Sequence, residues 1–129
     1  MTYCYCCIPH GTCGSRKIRL REWLHNFAEH TPDSTVIVEY DCERKSLQGI
    51  IEKLTENDKL LTYDYACLGD SFYDAYCVVL EVMEHGAGFH DCTPGLFNLC
   101  DEDALYYLKA FAEIDNAMRD VVYYNTDNR

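Results

Sequence analysis

The chain is poor in positive charge. Its 129 residues include 11 Lys and Arg against 22 Asp and Glu, which gives a formal net charge of -11 and a pI near 4.7. Proteins that hold duplex DNA usually neutralise several phosphates with Lys or Arg, so this composition argues against direct DNA binding. The one basic run, RKIRLR at 16–21, is typical of the solvated side of an amphipathic helix.

Long apolar runs are also missing. No stretch approaches the roughly 18 residues that span a bilayer, and MTYCYCCIPHG has no basic flank before an apolar segment. We therefore expect a cytoplasmic protein with no membrane partner. The sequence also lacks repeats, low-complexity tracts and linkers, and its 48% hydrophobic and 26% charged residues predict one globular domain over 1–129.

Cysteine, by contrast, is abundant, with nine residues. Without a secretion signal we expect a reducing compartment and no disulfide framework. Because the chain has no second CxxC, and because a strand would turn Cys7 away from its neighbours, we favour buried thiols acting as small hydrophobes and predict no cofactor. A zinc site is the weaker alternative, and its ligands would come from Cys4, Cys6, Cys7, His10 and Cys13.

Short apolar runs alternate with segments of helical periodicity. Strands are predicted at 3–8, 35–40, 59–65 and 88–92. Helices are predicted from an N-cap at Ser15 to before Pro32, around Leu47 to Leu54, from a cap at Ser71 to Gly86, and from about Asp101 onward. This alternation predicts an α/β domain with a mainly parallel four-stranded sheet, helices on its faces and a long C-terminal helix.

Five segments occur in an order that resembles a known family. They are YCYCCIPH at 3–10, ND at 57–58, YDYACLGDS at 63–71, GAGFHD at 86–91 and KAFAEIDNAMRD at 109–120. They are similar to the YxRVS, GD, LDRLGRS, GVxF and FAExER segments of the catalytic domain of serine recombinases, the resolvase and invertase family. The resemblance implies the resolvase catalytic-domain fold and, for an intact member, DNA recombination.

The positions of the family's catalytic groups are occupied by other residues. The resemblance places its nucleophilic serine on Pro9 and the preceding arginine on Cys7. Its D-R-L-G-R becomes ACLGD, so one carboxylate is missing and two arginines fall on Cys67 and Asp70. Among the family's active-site arginines only Arg44, in ERKSL, has a match.

Phosphodiester cleavage needs a nucleophile and cationic donors around the phosphate. Proline supplies no nucleophile, and a carboxylate at position 70 repels a phosphate. Sliding the first strand by two residues would align Cys7 with the serine, but Tyr5 would then replace the arginine, and little positive charge would activate the thiol. We therefore expect a non-catalytic homologue of the recombinase catalytic domain.

The long helix carries more apolar residues than one face can bury against a small sheet, and the resemblance implies that it forms a dimer interface. We expect a homo-oligomer, or a mixed oligomer with a recombinase, and no C-terminal DNA-binding module after VVYYNTDNR. Two alternatives stay open: an acidic inhibitor of a DNA-handling protein, and an active recombinase with an atypical nucleophile. The predicted interface residues are Leu105, Leu108, Phe111, Ala112, Met118 and Val122.

Overall fold

Strands and helices alternate along the chain as the periodicity predicts. The computed structural model describes residues 1–92 and 99–127, with side chains described as far as residue 118. The strands are β1 (Thr2–Cys7), β2 (Thr35–Glu39), β3 (Lys59–Thr62) and β4 (Gly88–Asp91). The helices are α1 (Gly14–His30), α2 (Lys45–Lys53), α3 (Phe72–Glu84) and α4 (Asp101–Asp127), with a short 3-10 helix at Tyr65–Cys67.

The four strands form one parallel sheet in the order β2-β1-β3-β4. The predicted α/β class and sheet are therefore confirmed. From β1 the chain first passes to β2 on one side and then crosses to β3 on the other, so the carboxyl ends of β1 and β3 flank the point where the strand order reverses. In open α/β sheets, ligands bind at the carboxyl ends of the strands at such a point.

Most strand boundaries differ from the predictions by one residue, and larger differences occur at the end of β3 and the start of α1. The third strand was expected to reach residue 65 but ends at Thr62, because the chain turns into the 3-10 helix. The prediction that Ser15 caps α1 is wrong, since Cys13 holds the N-cap position and makes no side-chain cap hydrogen bond. At α3 the cap is confirmed: Ser71 accepts a hydrogen bond from the Asp74 backbone N–H at 3.1 Å.

The core lies on both faces of the sheet, as expected for parallel strands that are covered by helices. β1 is its centre, and the side chains from Cys4 to Ile8 are almost fully buried. Helices α1, α2, α3 and α4 each contribute buried aliphatic residues. The largest of these fully buried side chains are Leu20, Leu47, Val79, Val82 and Leu108.

Helix α4 is much longer than the sheet it covers. Its 27 residues extend over about 40 Å, whereas strands of four to six residues span about 13 to 20 Å. The N-terminal part packs on α3 and β4, and the Phe111 ring stacks on Phe72 at 5.1 Å between centroids. At its first residue, Asp101 Oδ1 accepts a hydrogen bond from the Phe89 N–H at 2.8 Å. The remainder of the helix therefore extends beyond the sheet.

None of the helices in the described ranges combines the length and the apolar character that crossing a membrane requires.

Candidate functional site

The side chain of Arg44, the one residue that the resemblance matched to an active-site arginine of the family, is buried inside the protein. Arg44 precedes α2 in a left-handed conformation with φ 53°, and only 8% of the residue is exposed. Its Nε donates to the Cys67 carbonyl at 3.0 Å, and its Nη1 donates to the Cys42 carbonyl at 3.0 Å. Its Nη2 donates to the Ala66 carbonyl at 3.3 Å. The guanidinium therefore ties the loop before α2 to the 3-10 helix after β3.

Asp70 supplies the fourth partner of that guanidinium. Its Oδ1 accepts from Arg44 Nη1 at 3.1 Å, and 69% of the Asp70 side chain is exposed while that of Arg44 is almost covered. The outer end of the pair is consequently a carboxylate. A phosphate that approached this edge of the sheet would meet the negative charge before the positive one.

A second arginine, Arg16 of the basic run RKIRLR, contacts the 3-10 helix and the residue before it. Arg16 Nη1 and Nη2 donate to the two Asp64 carboxylate oxygens at 2.7 and 2.9 Å, a bidentate pair about three-quarters covered. Arg16 Nη2 also contacts Cys67 Sγ at 3.8 Å. The prediction of a solvated basic run holds for Arg19 and Arg21, which are exposed, but is wrong for Arg16.

The thiols at this edge are buried and directed inward. Cys6 Sγ lies 3.9 Å from Cys67 Sγ, and Cys67 Sγ also lies 3.9 Å from the Cys7 carbonyl oxygen. Cys7 Sγ donates to the Asp41 carbonyl at 3.7 Å. Contact with the Cys67 thiol, together with burial, raises the pKa of Cys6, and burial raises the pKa of Cys7. Both thiols are therefore neutral at neutral pH, which makes Cys7 a weak nucleophile.

Pro9 follows β1 and begins the turn into α1. Its carbonyl oxygen accepts from the Thr12 N–H at 3.1 Å and from the Thr12 hydroxyl. Gly11 in the same turn has φ +85°, a conformation that glycine adopts without steric cost. The segment is thus a compact turn, and the position assigned to the family's serine carries a ring with no nucleophilic atom.

The structure separates the residues of the alternative zinc site. Cys4, Cys6 and Cys7 are buried, whereas Cys13 is exposed and the exposed His10 ring stacks on Tyr40 at 6.4 Å. Within residues 1–92 and 99–118, no three His, Cys, Asp or Glu side chains are grouped to hold a metal ion. The prediction of buried thiols is confirmed for Cys4, Cys6 and Cys7 and is wrong for Cys13. Burial raises the pKa of Cys4 to about 12.

The predicted interface residues of α4 differ in how exposed they are. Leu108 and Ala112 are buried in the chain's own core, so they are not available to a partner in this conformation. Leu105 and Phe111 are half-buried, while 64% of Met118 is exposed. The side chain of Val122 lies outside the described residues. In the part of α4 whose side chains are described, the exposed large apolar residues are Tyr106, Tyr107, Ile114 and Met118, at 73%, 42%, 56% and 64% exposure.

The described fold is similar to that of a resolvase family site-specific recombinase from Streptococcus pneumoniae. The two share a TM-score of 0.67 and 14% sequence identity, over 97% of this chain and 93% of that chain. No protein-family model matches the sequence, and no curated protein matches it either. At this identity the likeness establishes the fold: a single α/β domain with the architecture of a resolvase-family recombinase domain.

Proposed function

We propose that this protein is a non-catalytic homologue of a recombinase catalytic domain and that it acts by pairing with a second copy of its own chain. The main observation in support of a non-catalytic role is that the Arg44 guanidinium already makes four hydrogen bonds within the protein. Three backbone carbonyls and Asp70 occupy this guanidinium, so using it on a phosphate would require breaking the contacts that hold two loops together.

The groups around Arg44 support the same proposal. Asp70 places a carboxylate at the solvent side of the guanidinium, and the thiol of Cys7 donates inward to a backbone carbonyl. Loss of one electrostatic donor commonly lowers the rate of a reaction by about 10²- to 10³-fold. A site with no hydroxyl at Pro9 and an outward carboxylate at Asp70 is therefore unsuited to strand cleavage.

Pairing is supported by a stripe on α4, the helix stripe, which consists of Tyr107, Phe111, Ile114 and Met118. Their spacing of i, i+4, i+7 and i+11 places them on one face of the helix. Phe72 of α3, 40% exposed, stacks on Phe111 and widens this face. Contiguous exposed apolar residues of this kind mark protein–protein contact sites, and a helix that extends past its own sheet offers them to a matching helix.

The test is the molar mass of the purified protein by light scattering after size-exclusion chromatography. We expect a dimer for the natural protein and a monomer for Ile114→Asp, because the new carboxylate would have to be buried in the helix stripe. Asn116→Asp adds the same charge outside the stripe and should leave the dimer intact. A monomeric natural protein, or equal effects of the two substitutions, would contradict pairing through this stripe.

A further inference from the structure

A groove separate from the helix stripe lies beside the reversal point of the strand order, between α1 and the segment that follows β3. Its volume is about 560 Å³. We call it the tryptophan groove, and the lining residues that matter here are Arg16, Arg19, Trp23, Asn26, Tyr63 and Asp64. We propose that it binds a mononucleotide, a compact ligand that joins a phosphate to a planar base.

The position of the groove in the fold is that of a ligand site. Tyr63 and Asp64 directly follow β3, and Arg16 and Arg19 lie in the first turns of α1, the helix reached from β1. The groove therefore adjoins the carboxyl end of β3, one of the two strands between which the order β2-β1-β3-β4 reverses. Its volume falls within the roughly 300 to 1,000 Å³ of small-molecule sites.

Two guanidinium groups supply the phosphate contacts. Arg16 is held in place by its two hydrogen bonds to Asp64. Arg19 is exposed one turn further along α1, and no carboxylate in the described part of the chain forms an ion pair with it. A planar guanidinium matches phosphate oxygens with paired N–H donors. Arg16 is thus held in a fixed position, and Arg19 is the arginine whose charge can pair with a phosphate.

The base would lie against Trp23. Arg19, Trp23 and Asn26 follow one another at i, i+4 and i+7 and so share a face of α1. The Trp23 ring is held by an edge contact with Tyr63 and a tilted contact with Phe27, both at 5.5 Å between centroids. An indole ring stacks on any base, and the Asn26 amide offers both a donor and an acceptor to a base edge.

The charge of the protein favours a mononucleotide over a nucleic acid strand. The formal net charge of -11 repels a long polyanion, and Glu22 and Asp64 lie at the groove itself. A single phosphate can instead pair with Arg19, with which no carboxylate in the described residues forms an ion pair. Binding of the small ligand should therefore be stronger than binding of an oligonucleotide.

The experiment uses Trp23, the only tryptophan of the chain, as its reporter. The protein is titrated separately with AMP, GMP, CMP and UMP, with adenosine, with inorganic phosphate and with an oligothymidylate, and the intrinsic fluorescence is followed. We expect saturable quenching by at least one mononucleotide and at least about tenfold weaker binding of adenosine and of phosphate, because each lacks one half of the recognised ligand. Calorimetry with the same ligands confirms that quenching reports binding.

Arg19→Gln is the test variant and Arg21→Gln, exposed on the same helix but outside the groove, is its matched control. The first should weaken mononucleotide binding by about tenfold, as loss of a charge-assisted phosphate contact does, and the second should leave it unchanged. No saturable response to any of the four mononucleotides, equal binding by both variants, or tighter binding of the oligonucleotide would each overturn the proposal.

Discussion

The edge of the sheet and the outer part of α4 use their side chains in opposite ways. At the edge, arginines, thiols and turns make contacts within the protein: Arg44 holds three carbonyls, and Cys6 lies against Cys67. On α4, Ile114 and Met118 are more than half exposed. The difference separates side chains that hold the fold together from exposed apolar side chains, and the proposed pairing would use the exposed set.

The largest expected effect is a difference in the free energy of unfolding between a buried and an exposed position of α4. Leu108→Ala removes a fully buried side chain and should lower the free energy of unfolding by about 2 to 5 kcal/mol. Met118→Ala, at an exposed position of the same helix, should change it by no more than about 0.5 kcal/mol when measured on the monomeric Ile114→Asp background. Urea unfolding followed by circular dichroism measures both. Equal losses would mean that α4 does not pack as described.

The next effect tests whether Arg44 is structural. Arg44→Ala leaves the carbonyls of Cys42, Ala66 and Cys67 without their donor and should destabilise the protein by about 2 to 4 kcal/mol. Lys45→Ala next to it removes only an exposed contact with Glu43 and should cost less than about 0.5 kcal/mol. Chemical denaturation of the two variants in parallel gives the comparison. A stable Arg44→Ala protein would mean that the guanidinium is available for another purpose.

A smaller effect is expected at the second arginine. Asp64→Asn keeps the shape of the side chain but removes the charge that holds Arg16, and should cost about 1 kcal/mol because the pair is partly solvated. Asp33→Asn, on an exposed residue before β2, is the control. Thermal unfolding at neutral pH would measure the difference. If salt at high concentration removed the whole effect, the pair would be acting as an ordinary surface contact.

The smallest effect concerns thiol reactivity and extends the comparison to the cysteines. The hydrogen bond with Ser15 lowers the pKa of Cys13, so more of this exposed thiol is ionised near neutral pH than of a thiol with the ordinary pKa of about 8.5. We expect Cys13 to react first with a disulfide reagent at pH 7. Its lead should shrink as the pH rises past about 8.5, because a thiol with the ordinary pKa is then ionised as well.

Substitution checks the assignment of that reactive thiol. Cys13→Ser should abolish the fast phase of the reaction and Cys42→Ser should leave it in place. Cys4, Cys6, Cys7 and Cys67 are buried and should react only after unfolding. A fast phase that survived Cys13→Ser would place the reactive thiol elsewhere.

Most of the fold was predictable because its signals are local. β-branched and aromatic runs indicated the strands, helical spacing indicated the four helices, and their alternation indicated the parallel sheet. The 3-10 helix at Tyr65–Cys67 was missed because the apolar pattern continues past the end of β3. Cys13 was placed with the buried thiols because it belongs to the same short stretch, CYCCIPHGTC, whereas it is exposed at the N-cap of α1.

The candidate site was less predictable because its contacts join distant residues. The partners Arg16 and Asp64 are 48 positions apart, and only the adjacency of β1 and β3 brings them together. The hydrogen bonds from Arg44 to the carbonyls of Ala66 and Cys67 likewise depend on the path of the chain after β3. Leu108 and Ala112 were assigned to an interface because periodicity marks an apolar face without distinguishing the protein's own core from a partner.

The most direct test of the account is incubation of the natural protein with supercoiled plasmid and a divalent cation, followed by electrophoresis. Arg44 is held by contacts within the protein, and the resemblance places the family's nucleophile on Pro9 and one of its phosphate-binding arginines on Asp70. We therefore expect the plasmid to stay supercoiled at any protein concentration. Nicked or linear product that is formed by the natural protein and lost in Cys7→Ala would contradict it, and would show that a buried thiol opens to attack DNA.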